Sequence, residues 1–250
     1  MTAPKVTCLM PVFNTREDWL RIALGGMASQ TYSNFSLVVC DNGSTRASTV
    51  EELKRFQEEY SDWAKVVRVD EPKGSAYALD GALHAADPDT VFFTKADSDD
   101  AFHKDREKNR VKVFQTLPPQ IALVYDNYFQ LIYQPRPHLE AVILRPYDYR
   151  GLLESNFIHG NSMWRASVYD KIPRTFVYEG YEGKANRHGE DYNLWLAITD
   201  HWDGFWMDVD PAFTWTYRTY PYSKYHSDRK AVDYCRTYLQ FKAKERRGLL

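Results

Sequence analysis

The chain has 250 residues, with 32 Lys and Arg against 34 Asp and Glu and a hydrophobic fraction of 44%. A chain of this length and apolar content can bury a sizeable core as one large domain or two small ones, which excludes a disordered or fibrous protein. The net charge of −2 argues against a protein that binds nucleic acid over its whole surface. Aromatic residues are frequent, and 20 of the 38 lie in the last 100 residues.

No apolar run approaches the length of a transmembrane helix, and the N-terminus lacks the apolar stretch of a signal peptide. We therefore expect a cytoplasmic protein, with peripheral contact at the inner face of a membrane as an open alternative. Cys8, Cys40 and Cys235 have no metal-ligand spacing. We expect them to be reduced structural thiols.

The first part of the chain alternates short apolar runs with amphipathic segments, which is typical of βα units around a mostly parallel sheet. Helices are predicted from an N-cap at Thr15 and from a capping box formed by Ser48 and Glu51. Two further helices are predicted, at 76–85 and 105–116. Strands are predicted at 6–10, 37–40, 65–69 and 91–94.

From about residue 118 the pattern changes. Apolar runs at 121–125, 128–133 and 139–144 are close enough to pair as antiparallel strands of one mixed sheet. Later segments predict a helix from Gly189, aromatic strands at 205–209 and 213–217, and a charged helix in the last 25 residues. We therefore predict an α/β, Rossmann-like fold with a mixed, mostly parallel central sheet flanked by helices and a small antiparallel part.

No linker or internal repeat divides the sequence, so residues 1–250 are expected to form a single domain. Its first half, about 1–117, is expected to bind a nucleotide, and about 118–220 to face the second substrate. The remainder, about 221–250, is a basic helical segment.

Polar residues follow each of the first four predicted strands, where open α/β sheets bind their ligands. The fourth strand ends in Asp97, Ser98, Asp99 and Asp100. Three carboxylates so close together repel one another unless a cation lies among them or the side chains diverge into water. A solvated turn is the ordinary interpretation, but the strand end favours a Mg²⁺ or Mn²⁺ site completed by substrate phosphate oxygens.

Several motifs, taken in order, resemble those of family-2 glycosyltransferases with the GT-A fold. The resemblance spans roughly residues 5–220 and rests on the runs 10–14, 29–35 and 38–45, the triplet 97–99 and the run 189–191. Each motif is weak alone, and their common order makes them specific. The resemblance implies an inverting, metal-assisted transfer of a hexose or related sugar from a nucleoside-diphosphate sugar to an acceptor hydroxyl, with Mn²⁺ or Mg²⁺ as cofactor.

The resemblance also implies roles in donor binding. Phe13 would lie against the nucleobase, and Asp41 and Asn42 would contact its edge. Asp99 would bind the metal directly, with Asp97 nearer the ribose or the metal. The full donor set is Pro11, Val12, Phe13, Asn14, Asp41, Asn42, Lys73, Asp97, Ser98 and Asp99. A UDP-sugar is the favoured donor, but the Asn42 amide both donates and accepts, so the base stays open.

Asp191 corresponds to the catalytic base of the resembled family. Direct displacement with inversion needs one carboxylate to take the acceptor proton as attack occurs. A position in the first turn of a helix favours the ionised form. The alternative is that Glu190 and Asp191 merely complement the helix dipole.

One departure concerns the metal site. Many members of the resembled family carry a histidine shortly after a Tyr-Arg pair, whereas here Tyr217-Arg218 is followed by Thr219 and Tyr220. The nearest histidine is His226, which is a candidate metal ligand, although a lone histidine is more often a surface or core residue.

His159, Trp164 and Glu190 are candidate acceptor contacts, with a core position as the alternative for Trp164. The loop 174–188 is a candidate lid. The basic C-terminal segment is either a solvated helix or a surface for an anionic acceptor. The acceptor itself stays open between a glycan, a lipid-linked saccharide, a polymer and another hydroxyl compound.

Two other functions remain possible from the sequence. A sugar nucleotidyltransferase shares the architecture but is expected to carry a Gly-rich basic loop after the first strand, where this chain has residues 11–14. A non-catalytic nucleotide-sugar or glycan-binding module would bind donor without turnover.

Overall fold

The computed structural model describes residues 3–178, 189–201, 204–207, 213–219 and 229–249. The strands of this part, in chain order, are β1 (Val6–Val12), β2 (Phe35–Asp41), β3 (Ala64–Arg68), β4 (Phe92–Lys95), β5 (Ala101–Phe102), β6 (Ile121–Tyr125), β7 (Tyr128–Ile132), β8 (His138–Val142), β9 (Met163–Arg165), β10 (Gly204–Met207) and β11 (Trp215–Thr219). Its helices are α1 (Glu17–Ala28), α2 (Ala47–Glu59), α3 (Ser75–Ala85), α4 (Arg106–Thr116), α5 (Tyr149–Glu154), α6 (Glu190–Thr199) and α7 (Arg229–Arg246).

The main sheet has seven strands in the order β10-β6-β9-β4-β1-β2-β3. Strands β1 to β4 pair in parallel, as do β6 and β10, whereas β9 is antiparallel to both neighbours. The predicted mixed, mostly parallel sheet with flanking helices is therefore confirmed.

A second, four-stranded sheet has the order β5-β11-β7-β8. The expected pairing of the runs 121–125 and 128–133 in one sheet is wrong, because β6 joins the main sheet and β7 joins the second. Only β7 and β8 form the predicted antiparallel pair. Burial explains the split. Residues Ala122–Val124 of β6 are fully buried, as in a strand covered on both faces, whereas β7 and β8 are partly exposed.

Alternation along β1 distributes its side chains between two cores. Cys8, Met10 and Val12 pack on the side of α1 and α2, and Leu9 packs with α3 and α6 on the other. All of these side chains are buried. Both faces of the main sheet are thus covered, so the polar ends of its strands become the accessible part.

Two predicted helix starts are wrong. The cap of α1 is Arg16 and that of α2 is Arg46, so Thr15 lies one residue too early and Ser48 lies inside its helix. Thr15 instead shares a hydrogen bond with the hydroxyl of Ser98. A tertiary partner has replaced the local one that the sequence pattern favours.

The C-terminal helix α7 packs against α5 and α6. Its buried stripe is Cys235, Leu239 and Ala243, spaced by four residues. All three cysteines of the chain are buried, and none of them forms a disulfide, as expected. Within the described part of the chain, none of the helices combines the length and the apolarity needed to cross a bilayer.

Candidate active site

The carboxyl edge of the main sheet is joined by side-chain hydrogen bonds between successive loops. The backbone N–H of Asn14 donates to the Ser44 hydroxyl at 2.9 Å, and the Thr15 hydroxyl lies 2.7 Å from that of Ser98. The loops that follow β1, β2 and β4 are therefore fixed to one another. This is the edge at which the strand ends predict a ligand site.

Asp41, at the end of β2, is buried. One carboxylate oxygen accepts a hydrogen bond from the Ser44 N–H at 2.9 Å, and the other pairs with the guanidinium of Arg68. Arg68 also donates to the Ser44 carbonyl at 2.9 Å. Arg68 ends β3 and had no role in the sequence prediction, yet it holds the Asp41 carboxylate in place.

Asn42 is buried next to Asp41. Its side-chain oxygen accepts a hydrogen bond from the backbone N–H of Lys73 at 3.1 Å, while the Lys73 side chain is exposed. Gly43 has a φ of +72°, and a Cβ there would lie 3.0 Å from the nitrogen of Pro72. The turn after β2 therefore needs glycine and packs tightly against the loop before α3.

Phe13 is an apolar side chain that the fold leaves in solvent, with 49% of its surface exposed, whereas its neighbour Val12 is buried and Pro11 is partly buried. Asn14 has a φ of +50°. Its side-chain oxygen accepts hydrogen bonds from the backbone N–H groups of Thr45 and Arg46, both at 2.8 Å, at the start of α2. An exposed ring is thus held on a rigid turn beside Asp41.

The acidic loop, defined as residues 97–100, follows β4. Asp97 and Asp99 are partly exposed, whereas Ser98 and Asp100 are buried. Asp100 accepts hydrogen bonds from the Asn161 amide at 2.7 Å and from the Arg218 backbone N–H at 3.1 Å. Burial and the nearby charges of Asp99 and Asp97 raise the pKa of Asp100 well above its ordinary value.

Lys95, the last residue of β4, joins the acidic loop to α6. Its ammonium nitrogen lies 3.1 Å from Asp97 Oδ1 and 3.1 Å from Asp191 Oδ2, and only 5% of the side chain is exposed. Burial opposes the Lys95 charge, but the carboxylates of Asp191, Asp97 and Glu190 outweigh it and raise its pKa well above the ordinary value. Lys95 is therefore a buried, charged centre.

Asp191 lies in the first turn of α6, after Gly189, whose φ of +89° turns the chain into the helix. Burial raises the pKa of Asp191 to about 7, the positive charge of Lys95 opposes this shift, and Glu190 and Asp97 add to it. Its second oxygen, Oδ1, is inaccessible to solvent and has no hydrogen-bond partner among the described residues. A carboxyl group that titrates near neutrality with one unpaired oxygen is suited to accept a proton.

Asn161 anchors the acidic loop from below, and each of its polar groups is used. Its side-chain oxygen accepts from the Asp97 N–H at 3.1 Å, and its side-chain amide donates to Asp100. Its carbonyl accepts from Arg106 at 2.8 Å and from Arg110 at 2.7 Å. Both arginines are fully buried on α4.

His159 lies in a cluster of aromatic rings. Its ring centroid is 4.3 Å from that of Trp215, 5.1 Å from Tyr217 and 5.2 Å from Tyr128. Burial first, and the charge of Lys95 second, lower the pKa of His159 to about 3. The imidazole is thus neutral, and its Nδ1 accepts a hydrogen bond from the backbone N–H of Asn161 at 3.2 Å.

Asp97 and Asp99 suit a divalent cation by their chemistry. Hard cations prefer carboxylate oxygens, and Mg²⁺ is usually held by one or two carboxylates together with water and substrate phosphates. The described residues contain no group of three His, Cys, Asp or Glu side chains arranged to hold a metal ion by themselves. The acidic loop therefore fits a cation whose remaining ligands come from substrate and water.

Comparison with known proteins decides the family. The model of glycosyl transferase family 2 matches residues 7–178, which is more than half of the chain. The chain belongs to this family. The resemblance seen in the sequence motifs is thereby confirmed, and family-2 membership favours glycosyl transfer over nucleotidyl transfer.

Two curated relatives cover much of the chain. EpsE of Bacillus subtilis, a protein assigned as a glycosyltransferase, is 30% identical over 212 residues, or 82% of this chain and 69% of EpsE. WfgD of Escherichia coli is named as a UDP-Glc:alpha-D-GlcNAc-diphosphoundecaprenol beta-1,3-glucosyltransferase. It is 28% identical over 197 residues, or 77% of this chain and 69% of WfgD.

Solved structures show that the family-2 chain has the GT-A fold. TarS residues 1–349 of S. aureus, in complex with UDP-GlcNAc, match with a TM-score of 0.67 and 16% identity over 86% of this chain. The mannosyltransferase PcManGT of Pyrobaculum calidifontis, in complex with GDP-Man and Mn²⁺, matches with a TM-score of 0.65 and 19% identity over 98% of this chain. The chain spans 59% of the TarS fragment and 65% of PcManGT.

Trp164 requires a correction in this family-2 glycosyltransferase. Its indole is fully buried in β9, with its nitrogen 3.2 Å from the Tyr169 hydroxyl and its ring packed against Phe93 and Trp195. The acceptor role expected for Trp164 is wrong because no face of the ring is accessible. Its strand alternation marked a core residue instead.

Other expected residues are placed as follows. Glu190 is buried in the first turn of α6, beside Asp191. His226, Tyr220 and residues 179–188 of the candidate lid lie outside the described residues.

Part of the basic C-terminal segment packs onto the domain, since Lys244 pairs with Glu154 at 2.9 Å and Arg246 with Asp200 at 3.0 Å.

Several residues that build the site were given no role by sequence reasoning: Arg68, Lys95, Arg106 and Arg110. Gly160 and Asn161 lie between the candidate acceptor contacts His159 and Trp164, but neither was expected to contact the acidic loop or Asp191. A signal existed for Lys95, because a charged residue ends an otherwise apolar buried strand. No such signal in the sequence marks Arg106 and Arg110, because charged residues on a helix usually lie on its solvent-facing side.

Proposed function

We propose that this glycosyltransferase moves a sugar from a nucleoside-diphosphate sugar to an acceptor hydroxyl, with inversion at the anomeric carbon. The observation that carries the proposal is the Asp191 carboxylate. One of its oxygens is held by Lys95, the other has no partner among the described residues, and Lys95 links it directly to the acidic loop.

The reaction is a single displacement. The acceptor oxygen forms a bond to the anomeric carbon while the bond from that carbon to the phosphate oxygen breaks, and the electron pair leaves on the diphosphate. Asp191 takes the proton of the acceptor hydroxyl as its oxygen attacks. No covalent intermediate with the enzyme is needed, and the configuration inverts.

Asp97 and Asp99 would hold a divalent cation, Mn²⁺ or Mg²⁺. Such a cation, when bound, neutralises charge that develops on the diphosphate leaving group. The oxygen-only donor set and the partial exposure of both carboxylates support this assignment. The Mn²⁺ named in the PcManGT complex gives separate support.

The nucleotide would lie at the loops that follow β1 and β2. The exposed ring of Phe13 offers a stacking face for the base, and Asp41 and Asn42 lie beside it in a fixed turn. UDP is the favoured nucleotide, because the TarS complex holds UDP-GlcNAc and WfgD is named for UDP-Glc. The acceptor remains a hydroxyl compound of the classes given above, and a single cytoplasmic domain remains our expectation.

Two variants and a binding screen test the proposal. Thermal shift with UDP, GDP and their sugars, with and without Mn²⁺, identifies the donor because specific binding stabilises the folded state. Asp99→Ala should remove the Mn²⁺-dependent part of the donor shift. Asp191→Asn should keep that shift and lower release of the nucleoside diphosphate by about 10²- to 10⁴-fold.

Near wild-type turnover by Asp191→Asn would exclude Asp191 as the base. The alternative of a non-catalytic module makes a different prediction. In that case the wild-type chain would bind donor with Mn²⁺ and release no nucleoside diphosphate, with or without acceptor.

A further inference from the structure

We infer that Lys95 is a positioning residue for the proposed transfer. Its ammonium group holds Asp191 and the acidic loop together, and so fixes the direction of the Asp191 carboxylate. The inference rests on the proposed function, and it assigns a role to a residue that no sequence motif marked.

The first argument is the cost of burying Lys95. A lysine ammonium loses strong hydration when it leaves water, so it is buried only where oppositely charged groups compensate. Only 5% of the Lys95 side chain is exposed, and two carboxylates lie at 3.1 Å. Breaking such a pair leaves an uncompensated buried charge, so the three groups are expected to keep their relative positions.

The second argument is that Lys95 is fixed at its backbone. Its carbonyl accepts a hydrogen bond from the buried Arg106 at 2.8 Å, and its N–H donates to the Ser162 carbonyl at 3.2 Å. The ammonium group therefore extends from a rigid strand end. The backbone end of the Lys95 side chain is thus fixed, and the two carboxylates hold its ammonium at the other end.

The third argument concerns Gly160. A Cβ at this position would lie 2.2 Å from Asp191 Oδ2 and 2.7 Å from Lys95 Nζ. Such distances are far inside van der Waals contact, so any larger residue would displace the pair. The absence of a side chain at Gly160 is what lets the ammonium and the carboxylate meet.

The fourth argument is that the two carboxylate oxygens of Asp191 have different environments. Lys95 binds Oδ2, and Oδ1 is the oxygen without a partner among the described residues. A carboxylate held through one oxygen presents the other in a defined direction. Proton transfer depends on this direction, and a misplacement of about 1 Å can cost roughly 100-fold in rate.

The test measures UDP release from UDP-glucose and from UDP-GlcNAc in the presence of Mn²⁺, with water as the acceptor. Lys95→Met should lower kcat by about 100-fold while KM and UDP affinity change by less than about threefold. Lys95→Arg, which keeps the charge, should recover part of the lost kcat. Gly160→Ala, which keeps both charged groups, should reproduce the loss.

Matched controls separate positioning from general damage. Lys54→Met removes an exposed lysine of α2, and Gly25→Ala adds a methyl group where nothing lies within 4 Å. Both should retain wild-type kcat, and neither should lower the melting temperature, which Gly25→Ala should raise because alanine favours a helix over glycine. If Lys95→Met does not fold, Lys95→Arg and Gly160→Ala carry the test alone.

Two results would overturn the inference. One is an unchanged kcat in Lys95→Met or Gly160→Ala. The other is a loss confined to KM and UDP affinity, which would make Lys95 a donor-binding residue. Crystal structures of wild type and Lys95→Met provide a readout independent of turnover, since the Asp191 carboxylate should change its direction in the variant, and an unmoved carboxylate would contradict the inference.

Failure of the proposed function has a different signature. In that case the wild-type chain binds UDP but does not release UDP from either UDP-sugar, and none of the variants does so either. The crystal structures would still decide whether Lys95 positions Asp191.

Discussion

The two ends of the candidate site are built by different means. The proposed nucleotide side consists of the loops that follow β1 and β2, and residues of these and neighbouring loops form hydrogen bonds with one another. The charged partner of Asp41 there is Arg68, whose side chain is 44% exposed. The acidic side consists of the acidic loop and the residues that hold it. There, the buried Lys95 pairs with the mostly buried Asp191, and the buried Arg110 pairs with the buried Asp126. The Arg68 cation of the nucleotide side is therefore in contact with water, whereas the Lys95 and Arg110 cations of the acidic side are almost or fully excluded from it.

This difference has an energetic meaning. A charge pair that touches water contributes little to stability, because water replaces a lost partner. A buried pair cannot be rescued in this way, so removal of one partner is expensive. The acidic side should therefore be the more rigid region and the more sensitive one to substitution.

The largest effect is expected from Arg110→Met. Arg110 is fully buried and pairs with Asp126, so the variant leaves a buried carboxylate without its cation. We expect a loss of about 3–5 kcal/mol in the free energy of unfolding. Urea unfolding followed by circular dichroism measures it through the shift in midpoint at constant slope.

A double variant sharpens this test. Arg110→Met with Asp126→Leu removes both charges, and it should be more stable than Arg110→Met alone. A single variant that costs less than about 1 kcal/mol would contradict the contrast between the two regions.

A second, smaller effect concerns pH. Burial raises the pKa of Asp191 to about 7, and the base must be ionised to accept a proton. Turnover should therefore fall as pH decreases through about 7, by about 50-fold between pH 7 and 5, with a slope that approaches roughly tenfold per unit below the pKa. The pH profile of kcat/KM for UDP release measures this, and His159 should not contribute to the fall because burial lowers its pKa to about 3.

The residual turnover of Asp191→Asn serves as the control for the pH profile. It should not vary with pH across the same interval. A wild-type profile that is flat from pH 5 to 8 would exclude a base with a pKa near neutrality.

The smallest effect is expected from Arg68→Met. This variant also removes an arginine from a carboxylate, but the Arg68 side chain is nearly half exposed and Asp41 keeps the Ser44 N–H. We expect a smaller loss than for Arg110→Met in the same urea experiment, because water reaches the position of the Arg68 guanidinium but not that of Arg110. A loss equal to that of Arg110→Met would remove the distinction between the two regions.

The sequence was sufficient for the layered sheet and for the edge where the site lies. Apolar runs such as residues 6–10, which form part of β1, mark strands that are buried on both faces, and parallel strands place their polar ends together. That is how Asp41, Asn42 and the acidic loop were found. Residues that act within a few positions of a strand end leave a local signal.

The rest depends on contacts between distant segments. Lys95 meets Asp191 across 96 positions, and Asn161 meets Asp97 across 64. Asn161 lies between the candidate acceptor contacts His159 and Trp164, but no local pattern predicts that it binds the acidic loop. The errors at Thr15 and Trp164 have the same origin, because tertiary packing decided the partner of each side chain.

Asn161 has a mechanical consequence. Its side chain binds the backbone of Asp97 and the carboxylate of Asp100, and its carbonyl binds Arg106 and Arg110. The acidic loop and the turn that carries Gly160 therefore share one anchor. Any displacement of the acidic loop therefore either breaks these hydrogen bonds or moves Gly160 with the loop. Gly160 lies directly against the Asp191 carboxylate.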